Sequence, residues 1–299
     1  MTAIAASVAE PALARAVPRT EGTLRQIARS KSGLAGLVIV VLIVGMSYLA
    51  PLFVDAHNPV DAQHRWEGPS AEHWLGTDHS GKDVLKQLVL GGRTIIYVGF
   101  AAAFITLFVA VVLGSLAAYF RGWLDSALLQ LTDVVMTVPA VVLLAVVGAF
   151  FGLTTPSALA LLLGLITWPV LMRSIRAQVM SLKEREFVEA ARLQDLGSLR
   201  IIFVEIVPNM AGYILINFII AVTNAMYALV GLYVLGLAPL AGANWGIMIH
   251  QAWTYGAIYL PEGTAFILAP VGAIALFQLG LVMLTRSLEE IFNPRLSRG

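Results

Sequence analysis

The 299 residues contain no cysteine, which excludes a disulfide framework and any thiol chemistry. Charge is nearly as scarce. Only 12% of residues are charged, and nineteen basic residues against eighteen acidic ones leave a net charge of +1. A chain this close to neutrality presents no field for nucleic acid or an acidic partner, and no basic amphipathic patch occurs outside the loops. What is abundant is apolar, 59% of the sequence, gathered into charge-free blocks over 33–54, 94–120, 134–172 and 206–261. Cores in water rarely grow beyond about 250–300 residues, whereas a hydrocarbon layer of about 30 Å is crossed by about 20 apolar helical residues. The fold class that follows is an all-α polytopic membrane protein.

Residues 1–32 are Ala-rich and carry Arg15, Arg19, Arg25, Arg29 and Lys31, with no apolar run long enough for a signal sequence. They read as a cytoplasmic tail, helical from Thr20. Span one covers 33–54. The polar segment 55–92, with Trp66 and Trp74, reads as an external element near the interface where Trp prefers to sit. Span two, 94–120, ends at a tight turn over 121–125. The block 134–172 is too long for one crossing, so it holds two, broken where Pro156 stops one helix and Ser157 caps the next. Span three then begins near Ala127, carries Asp133 and kinks at Pro139. Span five runs over 211–235. Residues 236–263, interrupted by Pro239, Gly242, Gly246 and Pro261, read as an external re-entrant element. Span six, 264–285, completes a six-span domain over 33–285, followed by a cytoplasmic tail over 286–299.

The polar loop 173–209 holds six of the nineteen basic residues and five of the eighteen acidic ones. Ser181 and Glu184 have the spacing of a capping box, which predicts a helix starting near Leu182. On it, Arg185, Glu189 and Arg192 line one flank, and Phe187, Ala190, Ala191 and Gln194 gather on another. That second flank is flat enough for another protein's backbone to approach; the plainer alternative is a solvated connector. The run Glu189-Ala190-Ala191, with Ile206 and Pro208-Asn209 downstream, resembles the EAA loop of bacterial ABC-importer permeases, with the spacing of the dipeptide, oligopeptide and nickel group. The resemblance implies an ATPase-coupling role for Glu189, Ala190, Ala191, Gly197, Ile206 and Pro208. Where that group has its glycine this chain has Asp195, so Gly197 is expected to supply the left-handed turn instead.

A second stretch, HWLGTDHSGKDV over 73–84, is similar to the HWLGTDxxGRD signature of the same group, with Lys82 in place of its Arg. It marks Gly76, Thr77, Asp78, Gly81, Lys82 and Asp83 as an external family motif. Gly76 to Lys82 also mimics the start of a phosphate-binding P-loop. Asp83, however, occupies the position that needs a Mg²⁺-binding hydroxyl, and Asp78 would repel phosphate. His73, His79, Asp78 and Asp83 have side chains suited to a Ni²⁺ or Zn²⁺ cluster, although histidines in a polar loop are more often solvated or capping. LYVLGLAPLAGANWG and the terminal EEIFNPRL resemble two further family stretches, the second without the family's usual Gly-Asp pair.

With the N-terminus inside, cytoplasmic segments carry fifteen basic residues and external ones four, which places 173–209 in the cytoplasm. Asp133 is the only acid within an expected span, so an ion-coupled secondary transporter or channel would have little to work with. A scaffolding membrane subunit is the third reading. The resemblance implies the permease subunit of an ATP-driven importer in the bacterial plasma (inner) membrane, working by alternating access. Such a chain is not itself an enzyme and binds no cofactor, ATP and Mg being held by partners. Its partners would be a second permease subunit, two cytoplasmic ATPase subunits, an external substrate-binding protein and membrane lipid, with no nucleic acid. Peptides or a related small solute are the expected cargo, and the sequence does not choose among dipeptide, oligopeptide, nickel or another substrate.

Overall fold

A computed structural model describes residues 27, 30–55, 57–151, 155–240 and 242–292. Among them the regular structure is helical. Helix α1 (Lys31–Leu49) starts where the Ser30 hydroxyl accepts the Gly33 N–H at 2.9 Å, and it gives way to a 3₁₀ turn over Ala50–Leu52. Helix α2 (Val84–Phe120) begins ten residues before the expected span. The cause is Asp83, whose carboxylate accepts the Lys86 N–H at 2.8 Å and caps the helix inside the polar segment. Thirty-seven residues extend about 55 Å, well beyond a hydrocarbon core of about 30 Å, so Lys86 and Arg93 lie on a helical end that need not enter lipid. The polar segment is thereby shortened to end at Asp83.

The turn after α2 takes two residues rather than five: Arg121 and Gly122 adopt φ values of 54° and 65°, and α3 (Gly122–Thr137) resumes at once. Val138, preceding Pro139, is forced into an extended conformation, φ −91° and ψ 128°. The expected kink is therefore a break, and α4 (Ala140–Phe151) leaves at 83° to α3. Helix α5 (Pro156–Leu182) is capped by Thr155, not Ser157. The Thr155 hydroxyl accepts the Ala158 N–H at 3.2 Å, while Ser157 bonds the Tyr97 hydroxyl at 3.1 Å. Helix α7 (Ala211–Val234) matches the fifth expected span, and α9 (Thr264–Phe292) outruns the sixth by seven residues because Ser287 and Leu288 remain buried. Between them lies the short α8 (Trp245–Thr254), capped by Asn244, so 236–263 has the interrupted form expected of it. The terminal Asn293-Pro294-Arg295 stretch and the expected helix from Thr20 fall outside the described residues, apart from the single helical position Ile27.

Among the described residues five helices are long and apolar enough to cross a membrane, and the bent pair α3–α4, counted as one span, makes six. Their order follows from contacts at the two ends. Ser30 bonds Ser287 at 2.7 Å, Lys183 reaches the Ala118 carbonyl at 2.9 Å, and Arg121 meets Glu184 at 3.2 Å. The start of α1 and the ends of α2, α5 and α9 therefore share one end. At the opposite end the Trp245 indole donates to the Leu88 carbonyl at 2.7 Å and Trp66 packs edge-on to Phe266. Because α3 starts at the first end and α5 at the second, the bent pair has to traverse the bundle.

The longest seam, between α2 and α5, is made of small residues. A Cβ on Gly114 would stand 2.7 Å from the Met172 carbonyl and one on Gly164 would stand 2.6 Å from the Ile105 Cβ, so the two backbones approach as closely as helices do in lipid. Outward, Leu42, Phe104, Phe108 and Leu268 are exposed, an arrangement that lipid or a neighbouring membrane subunit accommodates without cost.

Candidate functional site

The polar loop folds differently from the capping-box expectation. Ser181 lies inside α5, which runs on to Leu182, and Glu184 turns to Arg121 instead of capping a backbone N–H. What prolongs α5 is burial. Ile175 and Val179 are fully enclosed, and Lys183 tucks its ammonium against the last carbonyls of α2, Ala118 and Tyr119, at 2.9 and 3.4 Å. Burial, and then the nearby Arg121 charge, lowers the Lys183 pKa from its ordinary value. The next helix, α6 (Glu186–Leu193), starts only after Arg185.

Helix α6 is rotated by about one residue from the expected flank. Val188 and Ala191 are buried in one apolar cluster with Ala117, Ala118, Ile175, Val179 and Ile201, so Ala191 fills a core of its own chain. The outward face carries Glu186, Glu189, Ala190 and Leu193 at i, i+3, i+4 and i+7, one stripe of the helix, and Leu193 is 84% exposed. The sequence reading missed Leu193, although this spacing could have found it.

The helix ends in a Schellman motif. The Leu196 N–H donates to the Ala191 carbonyl at 3.2 Å, the Asp195 N–H donates to the Arg192 carbonyl at 2.9 Å, and Asp195 takes φ 54°. The left-handed position is thus Asp195 itself, where the family's glycine falls, and Gly197 is extended at φ −59°, ψ 145°. The turn is not shifted. An L-residue there is strained by about 1–2 kcal/mol, more than the roughly 0.5–1 kcal/mol of extra chain freedom that glycine loses. Asp195→Gly should therefore raise the thermal midpoint of the purified chain by a degree or so, while Gly197→Ala, with open space around the added Cβ, should leave it unchanged. A lower midpoint for Asp195→Gly would contradict the assignment.

Beyond the turn, Ile201–Ile206 forms a π-helical segment in which the Val207 N–H donates to Ile202. Pro208 has no N–H and would crowd the Val204 carbonyl in a regular helix, and the wider turn relieves both problems. Ile206 is buried in the same cluster as Val188 and Ala191, Pro208 is half-buried, and the Asn209 amide donates to the Glu205 carbonyl at 2.6 Å. Glu189, Ala190, Ala191 and Ile206 are thus one folded unit, with the first two outside and the last two inside.

Two ion pairs fasten α3 to α5. Arg176 holds both oxygens of Asp125 at 2.6 Å, and Arg173 donates to the Thr132 hydroxyl at 2.9 Å and pairs with Asp133. Asp133 is an exposed, paired carboxylate, not a lone intramembrane acid.

At the opposite end, the HWLGTD stretch is a self-bonded turn. Asp78 Oδ1 accepts the Ser80 and Lys82 N–H groups at 2.7 and 3.0 Å together with the Ser80 hydroxyl, and Oδ2 accepts the Gln87 amide at 2.8 Å. Thr77 donates to the His64 carbonyl and accepts the Glu67 N–H, and its backbone bridges Asp83. Asp83 caps α2 and meets His73 Nδ1 at 2.8 Å. The backbone N–H groups that a P-loop turns toward phosphate are here turned onto Asp78. His79 faces elsewhere, stacked on Tyr255 at 3.8 Å between centroids, and burial lowers its pKa below the ordinary imidazole value. Among the described residues no three His, Asp or Glu side chains converge as a metal would require.

Residues 110–298 match the family described as binding-protein-dependent transport system inner membrane component. The chain is 29% identical to the dipeptide transport system permease protein of Alkalihalophilus pseudofirmus over 274 residues, covering 91% of this chain and 88% of that protein. It is 30% identical to the oligopeptide transport system permease protein of Bacillus subtilis over 90% of this chain and 87% of that one. A third relative, the oligopeptide permease protein of Mycobacterium tuberculosis, is 34% identical over 71% of this chain and 74% of its own length.

Proposed function

The chain belongs to the family of binding-protein-dependent transport system inner membrane components, and from that premise we propose that it is the peptide-importing permease into which partner ATPases transmit their motion. What carries this reading is the construction of α6. An exposed stripe of Glu186, Glu189, Ala190 and Leu193 stands on a buried base, Val188 and Ala191, that is continuous with the ends of α2 and α5. A helix so mounted passes a displacement to the spans instead of bending away, because close-packed interiors transmit strain. Arg176–Asp125 and Arg173–Asp133 carry it on to α3 and the bent pair. ATPase closure would then move α2, α3 and α5 together and open the path to the other side.

On this reading the positive-inside count puts the 173–209 loop and both termini in the cytoplasm, and the 57–83 turn outside, where a substrate-binding protein docks. ATP and Mg stay on two ATPase subunits, a second permease completes the membrane pair, and this chain binds no cofactor and makes no covalent bond. The peptide class rests on the names of the relatives. The ion-coupled alternative loses its principal residue, since Asp133 is paired with Arg173.

The test is uptake of a labelled tripeptide into vesicles holding the full transporter, with ATP supplied on the ATPase side and binding protein on the other. Uptake that requires ATP is expected. Uptake driven by an ion gradient without ATP, or none at all, would refute the assignment.

A further inference from the structure

Three helices bring neutral polar side chains to one place. Thr106 of α2, Thr167 and Ser174 of α5, and Asn217 and Asn224 of α7 line a half-open cleft of about 110 Å³, and no charged side chain lines it. Most of their bonds are local. Thr106 and Thr167 share a hydrogen bond of 2.7 Å, Thr167 donates to the Leu163 carbonyl, Ser174 to Val170, and the Asn217 amide nitrogen to the Tyr213 carbonyl at 2.9 Å. The hydroxyls are thereby spent as donors but remain acceptors. The side-chain carbonyl of Asn217 and the whole amide of the exposed Asn224 have no partner among the described residues. Amides left open at mid-helix are costly against lipid, and polar groups at such depth face either a bundle interior or water.

The spacing adds a length. Asn217 and Asn224 are two turns apart on α7, about 10 Å, which an extended chain covers in about three residues. Acceptors at one end and an amide with both donor and acceptor at the other complement peptide N–H and C=O groups without consulting side chains.

We propose that this cleft is this chain's wall of the substrate path and that it holds an extended oligopeptide by its backbone amides. The proposal rests on the peptide-importer reading and adds the residues that touch the cargo. It leaves the second permease to supply the facing wall, since 110 Å³ encloses only part of a peptide.

Because the chain has no cysteine, a single introduced cysteine is the one thiol on this chain, and the assembled parent gives the background of its partners. In vesicles with the assembled transporter, Asn217→Cys and Asn224→Cys should react with a membrane-impermeant methanethiosulfonate, and a saturating tripeptide with binding protein should slow that reaction severalfold by covering the thiol. Phe104→Cys, on an exposed apolar face, should stay unreactive. Asn224→Ala should raise KM for the tripeptide with kcat held, and Asn224→Gln should restore it in part. Failure of both cysteines to react would mean that the cleft is sealed by lipid or the second permease, and would overturn the proposal. Reaction unaffected by a tripeptide that the cysteine-free parent does take up would overturn it as well. A parent that takes up no tripeptide would instead refute the importer reading itself.

Discussion

Leu193→Arg is expected to leave the permease folded and inserted yet reduce capture of the ATPase subunits thirtyfold or more. Leu193 is the last residue of α6, 84% exposed, and lies in line with Glu186, Glu189 and Ala190. A large apolar side chain held clear of its own protein, at the C-terminal end of the stripe assigned to the ATPase, is placed to fill a pocket in that partner. Anchors of that kind are worth about 2 kcal/mol or more, which sets the thirtyfold scale. The substitution itself is mild for the permease. Arginine is a good helix former, a positive charge in the last turn suits the helix dipole, and no internal contact is lost.

Ala191→Leu supplies the contrast. Ala191 is buried beneath α6, so three added carbons would have to displace the apolar cluster it shares with Ile201, Ile206 and the ends of α2 and α5, at a cost of about 1–3 kcal/mol to the permease itself. The two variants should separate cleanly. Leu193→Arg changes pull-down and ATP-coupled uptake but not the thermal midpoint in detergent, whereas Ala191→Leu lowers the midpoint. Undiminished ATPase capture by Leu193→Arg combined with Glu189→Ala would show that the loop is only a connector.

Gly81→Ala should be the most damaging of the glycine-to-alanine changes among the described residues. Gly81 adopts φ 80°, and a Cβ there would lie 1.8 Å from the Asp61 carbonyl oxygen. Asp61 cannot easily retreat, because its N–H donates to the Ser80 carbonyl at 3.0 Å within the same turn. Backbone strain and steric overlap together come to about 3 kcal/mol or more. The expected result is a 57–83 segment that opens to protease in intact vesicles and a transporter that no longer takes up substrate. Gly68→Ala, in the same segment with nothing near its Cβ, is the control and should match the parent. Protease resistance and uptake equal to the parent in Gly81→Ala would mean that the turn is not held as described.

Where the fold departs from the local sequence signals, tertiary packing is the cause. Ser181 and Glu184 do have capping-box spacing, but a cap is worth only about 1 kcal/mol, and enclosing Ile175, Val179 and the Lys183 stem against α2 outweighs it. Gly197 was the natural candidate for the left-handed turn because glycine has the least steric cost. The Schellman geometry nevertheless requires that conformation two positions after Leu193, and Asp195 stands there. The Pro139 break could be anticipated but not its 83°, which depends on what α4 packs against.

The sequence by itself determined the spans and their approximate limits, because a charge-free length is measured against lipid thickness and needs no neighbour to define it. It also marked two stretches that resemble the family's, and Asp78 and Asp83 as acids unfit for phosphate. Only the tertiary structure decided which face of α6 looks outward, since eight residues fit a helical pattern at more than one rotation and the apolar cluster formed with Ile201, Ile206 and the ends of α2 and α5 selects one. It alone also gathered Thr106, Thr167 and Asn224 from three separate helices into one cleft, because such convergence depends on how helices cross, and crossing is fixed by small residues such as Gly114 and Gly164 at distant points of the chain.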